Sequence, residues 1–143
     1  MENKIHLQIT TAGGTVCDEM ANYVAVPLTD GEAGILANHA NMIGALNEGV
    51  VRYKIDDEMH FAAGSGGGGG GGGVMSVADN ELIILARSAE RAENIDLARA
   101  QASAARAKER IATKADNLDL KRAELSLHRA LAREKAYTML HKN

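Results

Sequence analysis

Two periods divide the apolar and polar positions of this chain, and the change between them falls near Arg87. Before it, apolar residues recur in steps of two. Ile5-His6-Leu7-Gln8-Ile9-Thr10 alternates strictly, as a strand with one face in a core requires. Similar short runs follow at 23–26, 50–55, 59–63 and 81–85, separated by turn signals at Gly13-Gly14, Asp30-Gly31, Asn47-Glu48-Gly49, Asp56-Asp57 and Asp79-Asn80. Short strands at this spacing predict an antiparallel sandwich or barrel. Pro27, the single proline, closes one run, where a missing ladder donor does least harm.

From Arg87 to Asn143 the chain has no Gly and no Pro and is crowded with Ala, Leu, Arg, Lys and Glu, the strongest helix formers. Ser88 or Asn94 is the expected cap at its start. Thr, Asp and Asn cluster between Thr113 and Asn117, which predicts a break, with Asp116 or Asn117 capping a second helix. Leu118, Leu125 and Ala132 recur every seven residues, as do Leu120 and Leu127, giving that helix an apolar seam. The first helix is faced by Ala98, Ala102, Ala105 and Ala112. At about 25 cal/mol per Å² of apolar area removed from water, an alanine seam holds less tightly than a leucine one. A hairpin able to move follows. The fold class is α+β: an N-terminal antiparallel β-sandwich over 1–86, then a C-terminal two-helix hairpin over 87–143.

Charge sharpens this division. Residues 1–86 hold 3 Lys/Arg against 11 Asp/Glu, and residues 87–143 hold 13 against 8. The basic half suits an acidic surface or an anion. It lacks aromatic stacking platforms and interleaves much acid, which argues against nucleic acid. With Phe61 and three tyrosines as the only aromatics, the core must be largely aliphatic. The lone Cys17 excludes an internal disulfide and reads as a packed thiol. No apolar run approaches the roughly 20 residues of a membrane span, and the start of the chain shows no signal-peptide pattern.

Eight consecutive glycines occupy 66–73. They lack the Lys-Ser/Thr and the following helix of a phosphate-binding loop, so the run predicts a flexible hairpin loop between two strands. The five histidines show no metal-ligand spacing, and no nucleophile has an evident base partner. The chain is expected to be no enzyme by itself and to need no metal.

The helical half carries the most suggestive chemistry. Asp96, Arg99 and Arg106 share one face of the first helix at spacings of three and seven. Arg122, Arg129 and Arg133 share a face of the second at seven and four. Folded together, these guanidinium groups would converge near Glu90 and Asp96, repelling one another unless an anion sits among them. Guanidinium forks suit phosphate oxygens. The plain alternative is a set of solvated ion pairs worth about 0.3–0.5 kcal/mol each.

Several segments, in order, resemble one family. Thr11-Ala12-Gly13-Gly14-Thr15-Val16 is similar to its first turn, and Gly31-Glu32-Ala33-Gly34-Ile35-Leu36-Ala37-Asn38-His39-Ala40 resembles its GE-GIL--HA segment. Gly72-Gly73-Val74-Met75-Ser76-Val77 resembles its Gly-Gly turn and following strand. Residues 80–85 with Ala89-Glu90 resemble its closing strand. Ile95-Asp96-Leu97-Ala98-Arg99-Ala100 is similar to its IDxxRA signature, and Lys121-Arg122-Ala123-Glu124-Leu125 with Arg129-Ala130 to its second helix. The family is the epsilon subunit of bacterial F-type ATP synthases. Proline common in the family is replaced at Ala12, Ala37 and Asn41.

The resemblance implies a non-catalytic rotor subunit. Its sandwich would dock on the gamma subunit and the c-ring, peripheral to the cytoplasmic side of the bacterial plasma membrane. Its hairpin would fold down or extend toward the alpha and beta subunits and restrain ATP hydrolysis. For ATP as a regulatory ligand, the resemblance implies Glu90, Ile95, Asp96, Arg99, Arg106, Arg129 and Arg133. For contact with the catalytic head it implies Arg122, Arg129 and Arg133. A free-standing ATP-sensing module and a structural adaptor are the rival readings.

Overall fold

The computed structural model of the chain describes residues 3–66, 73–113 and 117–142. Ten strands come first among them: β1 Ile5–Thr11, β2 Gly14–Ala21, β3 Tyr23–Leu28, β4 Gly31–Leu36, β5 Met42–Ala45, β6 Gly49–Ile55, β7 Glu58–Ser65, β8 Val74–Ala78, β9 Glu81–Leu85 and β10 Ser88–Arg91. One turn of 3-10 helix, Ala92–Asn94, leads to α1 (Leu97–Ala112), and α2 (Asn117–His141) follows. No described helix is long and apolar enough to cross a membrane.

The strands form two five-stranded sheets, β2-β1-β9-β8-β5 and β10-β7-β6-β3-β4, packed as a sandwich. Pairing is antiparallel except between β1 and β9, which run parallel with Ile9 beside Ile84. The alternation in β1 is realised: Ile5, Leu7 and Ile9 are buried while His6 and Gln8 face outward. Leu82, Ile84, Met75 and Val77 meet Val24, Val26, Ile35, Val51 and Tyr53 in an aliphatic core, with the Cys17 thiol among them. Pro27 lies beyond Ala25, the last β3 residue paired to β6, where the ladder on that side has ended.

The helical half begins later than its composition suggests. Ser88–Arg91 pairs with β7 as an edge strand, Ser88 opposite Ser65 and Arg91 opposite Ala62, so the sheet continues past Arg87. Neither Ser88 nor Asn94 caps α1. Asp96 does, its Oδ1 accepting the Arg99 backbone N–H at 3.1 Å. Of the caps expected for the second helix, Asp116 lies outside the described residues and Asn117 is the first residue of α2.

The alanine seam also differs. Ala98, Ala102, Ala105 and Ala112 are exposed, and Ala100, Ala104 and Ala107 are buried on the opposite side. Half-buried Leu97 and Ile111, the large aliphatic side chains of α1, extend this stripe at either end, at alternating spacings of three and four. Those two fix which alanines turn inward. On α2, Ala123 and Ala130 are buried where the helices pack, while Ala132 and Ala136 lie with Val50, Ala63 and Phe61 of the second sheet. Leu125 and Leu127 are only half-buried, and the Leu118 side chain lies outside the described residues. The hairpin therefore folds down on the sandwich through α2.

The expected hairpin loop at the glycine run is not what the topology builds. β7 and β8 belong to different sheets, so the run joins the two layers. The expected flexibility concerns 67–72, which lie outside the described residues. At the two ends, Gly73 N–H donates to Gly66 O at 2.7 Å. A Cβ on Gly66 would collide with the Leu46 carbonyl and one on Gly73 with the Leu85 carbonyl, so both ends require glycine.

Candidate functional site

A cleft of about 630 Å³ opens where the hairpin meets the sandwich. This is within the range of small-molecule sites, about 300–1,000 Å³. β10 and the end of β7 give one wall, with Glu90 and Ser88 from the first and Ala63, Gly64 and Ser65 from the second. Asn94 and Asp96 stand at the entry to α1, which contributes Arg99, Ser103 and Arg106. From α2 come Ser126, Arg129, Ala132 and Arg133.

Local geometry explains each placement. Asp96 is fixed as the α1 cap, which directs Arg99 and, two turns on, Arg106 along the helix face beside the buried stripe. Arg133 Nε lies 3.3 Å from Glu90 Oε1, an ion pair that ties α2 to the sheet edge. The Arg129 guanidinium donates from Nη2 to Ser126 Oγ at 3.2 Å. Arg99 and Arg106 are exposed and have no ion pair among the described residues. Four guanidinium groups thus face two carboxylates, one already paired and one engaged in capping. The cleft has a positive excess that a polyanion would neutralise, and its serine hydroxyls add donors for oxygen.

Six of the seven residues expected to bind nucleotide line this cleft. Ile95 does not; it is buried with Ala92, Ala132 and Ala136 in the small core beneath the hairpin. Arg122, grouped with Arg129 and Arg133 by spacing, is exposed and stands away from the cleft lining. Sequence reasoning missed Ser88, Ser103 and Ser126. The two helical serines were detectable, since Ser103 falls four residues after Arg99 and three before Arg106, and Ser126 three before Arg129. Gly64 and Ser65 enter only through the β7–β10 pairing, which no local pattern announced.

Other polar groups lie outside the cleft. On the outer face of the first sheet, His6 Nε2 is 2.6 Å from Asp18 Oδ1 and His6 Nδ1 3.5 Å from Glu81 Oε2. The Asp18 hydrogen bond raises the His6 pKa above its ordinary value, and the same bond lowers that of Asp18. Inside the sandwich, burial pushes both the Cys17 thiol and the Tyr53 phenol up, so both stay protonated.

Comparison with known proteins bears on both halves. Residues 4–92 match the family described as ATP synthase, Delta/Epsilon chain, beta-sandwich domain. Residues 93–137 match ATP synthase, Delta/Epsilon chain, long alpha-helix domain. The ATP synthase epsilon chain of Nitratidesulfovibrio vulgaris (Miyazaki F) is 43% identical over 71% of this chain and 71% of its own length. That of Carboxydothermus hydrogenoformans is 40% identical over 78% of this chain and 79% of its own. Among solved structures, a chain of the Euglena gracilis mitochondrial ATP synthase, OSCP/F1/c-ring, superposes with a TM-score of 0.75 at 19% identity. The match covers 99% of this chain and 84% of that one, a likeness of fold.

Proposed function

The chain belongs to the ATP synthase epsilon chain family over both of its parts, and from that premise we propose that it is a non-catalytic rotor subunit whose hairpin senses ATP. In this reading the sandwich docks on the gamma subunit and c-ring at the cytoplasmic side of the bacterial plasma membrane. The hairpin alternates between the folded position and an extended one among the alpha and beta subunits, where Arg122, Arg129 and Arg133 pair with acidic residues and restrain hydrolysis.

The observation that carries the nucleotide reading is the convergence of Arg99, Arg106, Arg129 and Arg133 on one cleft, with Glu90 and Asp96 as the carboxylates lining it among the described residues. Guanidinium forks bind the phosphates. Glu90 and Asp96 are placed to accept from an adenine amine or a ribose hydroxyl, and Ile95 supports the site from beneath. ATP bound only by the folded hairpin stabilises that state by mass action, about 2.7 kcal/mol at a hundredfold excess over Kd. Inhibition is relieved when ATP is plentiful. A free-standing sensor or an adaptor would share this geometry; family membership through both parts favours the subunit, and co-purification with gamma, alpha and beta subunits distinguishes them.

Calorimetric titration of the isolated chain with ATP is the direct test. Saturable binding at or below millimolar ATP is expected, and Arg99→Ala or Arg106→Ala should weaken it about tenfold or more, the size of a lost charge-assisted hydrogen bond. Absence of binding at millimolar ATP overturns the nucleotide reading.

A further inference from the structure

The cleft draws two guanidinium groups and one hydroxyl from each helix. α1 carries Arg99, Ser103 and Arg106, and α2 carries Ser126, Arg129 and Arg133, all lining the cavity. One hydroxyl is already engaged: Ser126 Oγ accepts from Arg129 Nη2 at 3.2 Å, and both side chains are half-buried. Arg129 has no carboxylate partner among the described residues. Arg133 on the same helix is held by Glu90 at 3.3 Å. A long arginine side chain otherwise samples many rotamers, and ordering it on binding costs affinity.

We propose that Ser126 is a positioning residue for the anion in this cleft: its hydroxyl holds the Arg129 fork toward the cavity before ligand arrives. The proposal rests on the nucleotide reading above. A neutral acceptor suits the role better than a carboxylate, because it restricts the guanidinium without cancelling its charge. Only one of the five guanidinium N–H groups is used, so the others remain for phosphate oxygens. The hydroxyl accepts in this bond and keeps its own O–H as a further donor. The bond itself closes within one turn of α2. Alanine is in any case the better helix former at that position.

The test compares ATP affinity by titration calorimetry in the full-length protein and in Ser126→Ala, Ser126→Thr, Arg129→Lys and the Ser126→Ala/Arg129→Lys pair. Ser126→Ala is expected to weaken ATP binding about five- to tenfold while unliganded thermal unfolding stays the same or rises. Ser126→Thr should restore affinity to within about twofold. Lysine at 129 keeps the charge and removes the planar fork, so adding Ser126→Ala to it should cost less than about twofold more. Wild-type binding with Ser126→Ala within twofold of it overturns the positioning role alone. An equal loss from Ser126→Ala in both backgrounds also overturns it, showing a contact independent of Arg129. A wild-type protein that binds no ATP removes the nucleotide reading and this inference with it.

Discussion

His6 bridges three strands, reaching Asp18 on β2 and Glu81 on β9 from β1. Its folded pKa lies above the unfolded value near 6.5, so the bridge is at full strength below that pH. The contribution fades as pH rises through the higher folded value. Asp18 has the opposite sign: its folded value lies below 3.8, and its share is lost only as pH falls through that lower value. Urea unfolding of His6→Gln should therefore lose midpoint relative to wild type near pH 5–6 and converge with it toward pH 8–9. Parallel curves at every pH would rule the bridge out as their cause. At this scale the arginines and Asp96 could be read from spacing, because charged residues at three, four and seven report one helix face directly. Arg122 could not be placed, since a spacing of seven fixes the face of α2 and not the height at which the cleft lies. Ile95 has a side chain suited equally to a site and to a core, and burial decided between them.

Elements were legible where their apolar alternation was strong. β1, β3 and β9 stand out because each buries two or more aliphatic residues two apart, whereas β4 buries only Ile35 among Gly, Glu and Ala. β10 has four half-buried residues and no alternation at all, and its pairing to β7 comes from the sheet. The true start of α1 was marked by Asp96, two residues beyond the nearer expected cap. Asp96→Ala should destabilise the protein by about 1 kcal/mol, while Asp96→Asn, an equivalent cap, should cost well under half of that. Thermal unfolding of both variants checks this, and equal losses would assign the effect to charge. ATP titration of the same pair separates the cap from the carboxylate.

Seen whole, the molecule is a sandwich with a hairpin whose contacts to it and to itself are made largely by alanine. Among the described residues, Ala132 and Ala136 are the buried α2 residues over the sheet, helped by partly buried Tyr137, Met139 and Leu140. A chain ending at Asn94 keeps β10 in its sheet and should fold cooperatively. In the assembled complex it should raise ATP hydrolysis and remove its dependence on nucleotide binding to this subunit; hydrolysis equal to that of the full-length chain would argue against restraint by the hairpin. The division into two parts was visible in the sequence, since period and charge changed together, and the inter-sheet role of the glycine run was not, since homopolymer carries no register. The turn at Ala92–Asn94, with Ile95 and the cap Asp96, joins the last strand to the helices. End to end, α1 and α2 measure about 24 and 37 Å at 1.5 Å per residue. A swing of 30° at that short turn would sweep the tip of a straightened arm by roughly 30 Å. A hinge there would gear the arm, so that a slight torsion at the foot becomes a long stroke at the far end.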